Sequence, residues 1–163
     1  MDLLTARARF TLARAELRRT SPPEDAALRP DNSACQLSGH VWFMKPRILI
    51  VDDDPGTLAS LSRAFALEGY EALTASSGAR AFERLGDEPV DAILSDVVMP
   101  GMDGLEFLAR LKERVPEVPV ILMSGQATVE TAVKATRLGA LDFIEKPVGL
   151  DRLLLTLRNV LRL

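Results

Sequence analysis

The stretch ILIVDDD, residues 48–54, determines which architecture the chain can adopt. Its four apolar residues follow one another without alternation, which is typical of a strand buried on both faces. Three aspartates end the apolar run, and Asp54 followed by Pro55 has the residue types of a helix N-cap and a first helical position. The stretch therefore predicts a buried strand, a short acidic turn and the start of a helix.

The chain downstream repeats this strand–turn–helix pattern four more times. Apolar runs predict strands at 48–51, 70–74, 92–95, 118–123 and 141–144. Between and after them, apolar residues recur at helical spacing. The predicted helices start at Pro55, after an N-cap at Ser77, and at Leu105, Thr128 and Asp151. Five strands alternating with five helices predict an α/β fold whose parallel sheet is covered by helices on both faces.

Composition and charge exclude several classes of function. The chain has 163 residues, 20 basic and 23 acidic, so its net charge of −3 gives no reason to expect direct binding to nucleic acid. A single cysteine, Cys35, excludes a disulfide framework and a multi-cysteine zinc site. No stretch approaches the roughly 18 apolar residues of a membrane span. We therefore expect a cytoplasmic protein that contacts neither nucleic acid nor a membrane.

Residues 1–43 differ from the rest and are predicted to be a poorly ordered N-terminal extension, with the folded domain at 44–163. An apolar stripe recurs every seven residues, but two heptads are too few for a stable coiled coil, and Ser21-Pro22-Pro23 interrupts any helix. Two further interpretations stay open, namely an arginine-rich transit peptide and a true translation start at Met44.

Acidic, hydroxyl and basic side chains follow the predicted strands at their carboxyl ends. Strand one is followed by Asp52, Asp53 and Asp54, strand three by Asp96, strand four by Ser124 and strand five by Lys146. The carboxyl ends of parallel strands meet at one edge of a sheet, where ligands bind in open α/β folds. Converging carboxylates repel one another unless a hard cation lies between them, and oxygen ligands with room for water suit Mg²⁺.

This set of residues predicts phosphoryl chemistry. A lysine and a hydroxyl beside a divalent cation can hold phosphoryl oxygens. Asp96, which follows a central strand, can act as a nucleophile and form an aspartyl phosphate. Each residue alone has an ordinary explanation as a turn, cap or surface residue, but their placement at the same end of different strands favours a site.

Four motifs resemble the receiver domains of two-component response regulators: ILIVDDD (48–54), LSDVVMPGMDG (94–104), ILMSG (121–125) and DFIEKP (142–147). The resemblance covers 47–163. It is greatest to receivers of sigma-54 activators of the NtrC and NtrX kind, especially over TVETAVKATRLGALDFIEKP (128–147). It implies a doubly wound (βα)5 flavodoxin-like domain with strand order 2-1-3-4-5.

The resemblance also implies roles for single residues. Asp96 would accept a phosphoryl group from the phosphohistidine of a histidine kinase or phosphotransfer protein. Asp53 and Asp96 would ligate Mg²⁺, Asp52 would hold a water of the cation, and Val98 would supply a backbone carbonyl. Ser124 and Lys146 would contact the phosphoryl group.

The resemblance also implies a conformational switch. Phe143 would be the aromatic residue whose orientation reports the state, and Lys146–Pro147 would be a cis peptide bond. Phosphorylation would change the surface of helix 4, strand 5 and helix 5, and this surface could form a homodimer. In the last helix, Leu155 and Leu163 fall off the main apolar face, which favours a second buried face there. Only 16 residues follow Pro147, so we expect the output domain or partner to lie outside this chain.

Two alternatives remain at this point. Residues 52–58, DDDPGTL, resemble the D-x-D-G-T-L motif of haloacid-dehalogenase-type phosphatases with one residue inserted, although only one acid, Asp151, follows Lys146. A phosphatase would turn over excess substrate, whereas a receiver would take up one phosphoryl group and lose it slowly. A receiver is therefore not an enzyme in the ordinary sense. The second alternative is a phosphate sink, which accepts the phosphoryl group without signalling.

Overall fold

The computed structural model describes residues 45–161, and strands and helices alternate throughout this range. The strands are β1 (Arg47–Val51), β2 (Glu71–Ala75), β3 (Ala92–Asp96), β4 (Val120–Ser124) and β5 (Asp142–Glu145). The helices are α1 (Pro55–Leu67), α2 (Gly78–Asp87), α3 (Gly104–Arg114), α4 (Val129–Arg137) and α5 (Leu150–Leu161). The interpretations of residues 1–43, and of Leu163, lie outside the described residues.

The five strands form one parallel sheet in the order β2-β1-β3-β4-β5, which confirms the expected topology. The chain reverses its winding direction between β1 and β3, and Val51 of β1 is in register with Ser95 of β3. The residues that follow these two positions, Asp52 and Asp96, therefore lie side by side at the switch point of the sheet, where doubly wound folds place their sites.

Alternate residues of each strand supply two separate hydrophobic cores. One face of the sheet packs against α2, α3 and α4, with Leu49, Ile93 and Leu122 among its strand residues and Phe107 the largest helical one. The other face packs against α1 and α5, with a second set of strand residues that includes Ile48, Ile50, Leu94, Ile121 and Met123. Both faces need apolar side chains, which is why the strands appear as continuous apolar runs.

The start of each helix from α1 to α4 is fixed by a polar side chain that accepts a hydrogen bond from the first turn. Asp54, Ser77, Asp103 and Thr128 act in this way, and the expected caps at Asp54 and Ser77 are thereby confirmed. Within residues 45–161, no helix combines the length and apolar character needed to cross a bilayer.

β4 begins two residues later than the sequence predicts, at Val120 instead of Val118. The backbone N–H of Val118 donates to the carbonyl oxygen of Val115 in a turn. Pro119 has no N–H to contribute to the sheet, although its carbonyl oxygen accepts from the N–H of Ile93. The proline therefore delays regular pairing without removing the first inter-strand contact.

Gly104, the first residue of α3, is pressed against the end of β3. A Cβ atom at this position would lie 2.1 Å from the carbonyl oxygen of Asp96 and 2.7 Å from Cα of Val97. The N–H of Gly104 also donates to the carbonyl oxygen of Val97 at 2.8 Å. Only glycine permits this approach, because the neighbouring atoms belong to the backbone and cannot rotate away.

We expect Gly104→Ala to lower the free energy of unfolding by about 1–3 kcal/mol or more, since that is the usual cost of overpacking. Urea denaturation measures this change. Gly86→Ala is the matched control, since Gly86 is exposed on α2 with no atom within 4 Å of its added Cβ. That variant should gain about 0.5–1 kcal/mol from improved helix propensity. Equal stability of the two variants would contradict the steric account.

Candidate functional site

Three aspartates converge at the carboxyl edge of the sheet. Asp52 and Asp53 follow β1, Asp96 ends β3, and one carboxylate oxygen of each lies within 4.8 Å of the others. Asp52 and Asp96 are 1% and 5% exposed, whereas Asp53 is open to solvent. The three carboxylates that the sequence assigned to a cation are therefore close enough to share one.

Local hydrogen bonds separate the roles of the three consecutive aspartates. The carboxylate of Asp54 accepts from the N–H groups of Gly56 and Thr57 and from the Thr57 hydroxyl, the last at 2.6 Å. The hydroxyl of Thr57, and then the two N–H groups, lower the pKa of Asp54. Asp54 is thus committed to capping α1, and its own N–H donates to Oδ1 of Asp52 at 2.9 Å.

Lys146 joins the two buried carboxylates. Its Nζ lies 2.8 Å from Oδ2 of Asp52 and 3.1 Å from Oδ2 of Asp96. Burial has the largest single influence on the pKa of Lys146 and lowers it, but hydrogen bonds and charges from Asp52 and Asp96 together raise the pKa above its ordinary value. The ammonium group is therefore charged at neutral pH and fixed between the two strand ends.

The second oxygen of Asp96 has no such partner. Oδ1 of Asp96 is buried and accepts no hydrogen bond within residues 45–161. A buried carboxylate oxygen without a donor is costly, so a group that supplies positive charge is expected beside it. Three carboxylates against one ammonium group leave two negative charges uncompensated, and oxygen ligands with this charge fit a hard divalent cation.

Two further residues predicted for the site lie at or just after the ends of neighbouring strands. Ser124 ends β4, is 1% exposed, and its Oγ accepts from the N–H of Gln126 at 3.1 Å. The carbonyl oxygen of Ser124 accepts from the N–H of Lys146 at 2.8 Å, which ties the two residues together. Val98 lies two residues beyond Asp96 and is 58% exposed.

Phe143 lies outside the acidic cluster. It is in register with Leu122 of β4 and packs, half-buried, in the core that includes α4. The Lys146–Pro147 peptide bond is cis, as the resemblance implies.

Two groups that shape the site, the backbone N–H of Gln126 and Gly104, could not be identified from the sequence. The N–H of Gln126 holds the Ser124 hydroxyl, and a backbone donor leaves no trace in residue type. Gly104 controls how closely α3 approaches Asp96, but a glycine in a glycine-rich loop predicts only a turn. Both depend on loop geometry that becomes visible only in the folded chain.

Comparison with known proteins identifies the family. The sequence profile of the response regulator receiver domain matches residues 48–158. The chain belongs to this family. Its parallel sheet and its cluster of strand-end aspartates are those of a receiver domain, and receiver domains bind Mg²⁺ at such an acidic pocket.

Individual relatives agree with the resemblance to sigma-54 activators. The regulatory protein AtoC of Escherichia coli is 44% identical over 117 residues, which are 72% of this chain and 25% of that protein. The receiver domain of NtrX from Brucella abortus is 38% identical with a TM-score of 0.67 and covers 71% of this chain and 98% of that one. A CheY-like receiver from Methanospirillum hungatei has a TM-score of 0.70 and 32% identity, with 72% of this chain and 94% of that chain covered.

The chain thus spans about a quarter of the length of the curated relatives it matches. Membership of the receiver family does not support the haloacid-dehalogenase alternative. The second aspartate of that motif, Asp54, is also taken up by helix capping. Receiver domains are not enzymes in the ordinary sense, which agrees with the expected class.

We expect Mg²⁺ to stabilise the domain, by about 2.7 kcal/mol at a concentration 100-fold above its Kd, as measured by thermal unfolding at increasing Mg²⁺. Asp53→Asn should reduce this Mg²⁺-dependent gain and leave the stability without metal nearly unchanged, because Asp53 is exposed. Asp87→Asn, at the exposed end of α2, is the control and should retain the full gain. An undiminished gain in Asp53→Asn would remove Asp53 from the metal site.

Proposed function

We propose that this receiver domain accepts a phosphoryl group on Asp96 from the phosphohistidine of a sensor histidine kinase or phosphotransfer protein. The observation that supports this most directly is that the two carboxylate oxygens of Asp96 have different surroundings. One carboxylate oxygen is held by Lys146, and the other is buried without a donor. A carboxylate with one unpaired oxygen beside two further acids is suited to act as a nucleophile near a cation.

In the proposed reaction, a carboxylate oxygen of Asp96 forms a bond to phosphorus while the phosphorus–nitrogen bond of the phosphohistidine breaks. The imidazole nitrogen keeps the electron pair of that bond. Lys146, fixed by Asp52, supplies positive charge next to the attacking carboxylate. Ser124, whose Oγ accepts from Gln126, retains its own hydroxyl proton to donate to the phosphoryl group.

Mg²⁺ would be held by Asp53 and Asp96, with Asp52 binding one of its waters and the backbone carbonyl of Val98 as a further ligand. When bound, the cation would neutralise the negative charge of the phosphoryl oxygens. The charge of the three clustered aspartates supports this assignment.

We further propose that the domain works in the cytoplasm and that it signals to an output domain or to a partner protein. The proposed partners do not include nucleic acid or a membrane. The proposed signalling surface consists of α4, β5 and α5, and a phosphorylation-dependent homodimer could form through it. Exposed apolar side chains in and around these elements support the proposal: Val129 at 83%, Val133 at 44%, Leu141 at 50% and Leu155 at 59%.

Incubation with Mg²⁺ and a small acyl phosphate should add one phosphoryl group to Asp96, detected by intact mass and by Phos-tag electrophoresis. Asp96→Asn should not be labelled, because the amide is a poor nucleophile, whereas Asp87→Asn should be labelled like the parent. Labelling of Asp96→Asn to the same extent would refute the assignment. Continuous turnover of excess donor, in place of a single slow cycle of labelling and decay, would favour a phosphatase.

The proposed switch couples the phosphoryl group to Phe143 through Ser124. Ser124 and Glu145 are in register across β4 and β5, and Phe143 lies two residues earlier on β5. Movement of the Ser124 side chain toward the phosphoryl group would vacate space that Phe143 can fill, which would rearrange the α4-β5-α5 surface. The phosphoryl group needs only to favour one of two existing arrangements by a few kcal/mol.

Beryllofluoride, which stands in for the phosphoryl group, should strengthen self-association or partner binding in sedimentation. Ser124→Ala should weaken this response and leave the Mg²⁺-dependent stabilisation intact, since Ser124 is not among the clustered aspartates. If activation changes neither the sedimenting mass nor the NMR chemical shifts around Phe143, the domain is better described as a phosphate sink.

A further inference from the structure

Lys112 on α3 lies half-buried beside the loop that leads into β4, at the end of the sheet opposite the acidic cluster. Its Nζ donates to the carbonyl oxygen of Val118 at 2.8 Å and to that of Pro116 at 3.2 Å. Its aliphatic stem passes the turn after α4, where a Cβ atom added at Gly139 would lie 3.5 Å from Cε of Lys112. Both the stem and the ammonium group of this side chain are therefore held in place.

The hydrogen bonds of Lys112 differ from those of Lys146 in the charge of the acceptors. Lys146 contacts two carboxylates, which together hold its pKa above the ordinary value. Lys112 contacts neutral carbonyl groups, and within residues 45–161 it forms no ion pair. Burial without a counter-charge lowers the pKa of Lys112. The neutral amine of Lys112 is therefore more populated near neutral pH than that of an ordinary lysine.

The geometry also allows Lys112 to lose a proton without losing a contact. An ammonium group has three N–H donors, and two of them are used by the carbonyls of Pro116 and Val118. In the part of the chain that the structure describes, the third has no acceptor. A neutral amine keeps two N–H donors and gains a lone pair, so both carbonyls stay bonded while the lone pair takes the place of the third proton. Since Pro116 is exposed, a small molecule can approach this group from solvent.

We propose that Lys112 is a modification site, at which the neutral amine takes an acyl group from a small activated donor such as an acyl phosphate or an acyl thioester. The amine nitrogen forms a bond to the carbonyl carbon of the donor. The bond from this carbon to the phosphate oxygen or the thioester sulfur breaks, and the leaving group takes its electron pair. The nitrogen releases one proton to water, and the product is a neutral amide.

Acylation weakens the support of the loop before β4. The amide nitrogen of an acylated lysine has one N–H, so one of the two carbonyls loses its donor, and the positive charge is removed. Val118 also belongs to the turn that precedes β4, because its N–H donates to the carbonyl oxygen of Val115. The modification therefore acts on the segment that positions the start of a central strand.

The inference does not depend on the proposed phosphorylation of Asp96, although one donor can serve both reactions. Attack by Asp96 at the phosphorus of an acyl phosphate releases a carboxylate and requires Mg²⁺. Attack by Lys112 at the carbonyl carbon releases phosphate and requires no metal. The two reactions add different groups to different residues, so each can be measured without the other.

The test incubates the full chain with acetyl phosphate, and in a parallel arm with a small acetyl thioester, both in EDTA so that Asp96 is not labelled. Peptide mapping by mass spectrometry at early times quantifies acetylation of all four lysines, Lys45, Lys112, Lys134 and Lys146. Lys112 should react at least about threefold faster than the exposed Lys45 and Lys134, because more of its amine is neutral. Lys146 should react slowest, since two carboxylates hold its ammonium group.

Two controls separate the folded environment from the local sequence and from phosphorylation. In guanidinium chloride the four lysines should react at similar rates, because the carbonyl contacts of Lys112 are lost. Asp96→Asn with Mg²⁺ should lose phosphorylation and keep the acetylation of Lys112. A rate at Lys112 no higher than at Lys45 and Lys134 with both donors, or the same selectivity in the unfolded chain, would overturn the proposal. Selectivity with one donor alone would identify the class that reacts there.

Thermal unfolding gives a second measurement. Acetylation should lower the Tm of the parent by about 2–6 °C, because a carbonyl of the loop loses a charged donor. Lys112→Arg is the control: it retains the other three lysines and should keep its Tm under the same treatment. An unchanged Tm in the parent, or an equal loss in both chains, would contradict the effect on the loop before β4.

Discussion

Two buried carboxylates, those of Asp52 and Asp96, share the single ammonium group of Lys146. A buried charge without a partner costs several kcal/mol, so the positive charge of this lysine offsets the cost of burying both aspartates at their strand ends. Lys146 follows the edge strand β5, and β4 separates β5 from the strands that carry the two aspartates. The loop after β5 must therefore bring the lysine across the end of β4, and its N–H bond to the Ser124 carbonyl holds it there. Lys146 thus connects the ends of β1, β3 and β5. Its single positive charge does not neutralise the three clustered aspartates, so a divalent cation can still bind there.

The sequence predicts the fold well because its strongest signals are local. Continuous apolar runs mark β1, β3 and β4, and residues such as Asp54 and Ser77 mark helix starts, since the hydrogen bonds of a cap span only two or three residues. The start of β4 was predicted too early because apolar character continues through Val118, whereas the sheet also needs the N–H that Pro119 lacks.

The candidate site could be predicted in part. The rule that parallel strands end at one edge was sufficient to bring Asp52, Asp96, Ser124 and Lys146 to the same place. Helix-capping rules separated Asp54 from the other two consecutive aspartates, but strand order alone could not show that Asp52 and not Asp53 contacts Lys146.

The strands differ in burial, and this difference predicts which of them unfold locally most readily. Every residue of β3 and β4 is buried, as are all but the first of β1, whereas most residues of β2 and β5 at the sheet edges are only partly covered. Amide hydrogens of the central strands should exchange with solvent close to the rate of global unfolding, and those of β5 should exchange through smaller local openings. We therefore expect Asp96 and Ser124 to lie on the slowest-exchanging part of the domain. Phe143 and the approach to Lys146 belong to a strand that can rearrange while the central sheet stays closed.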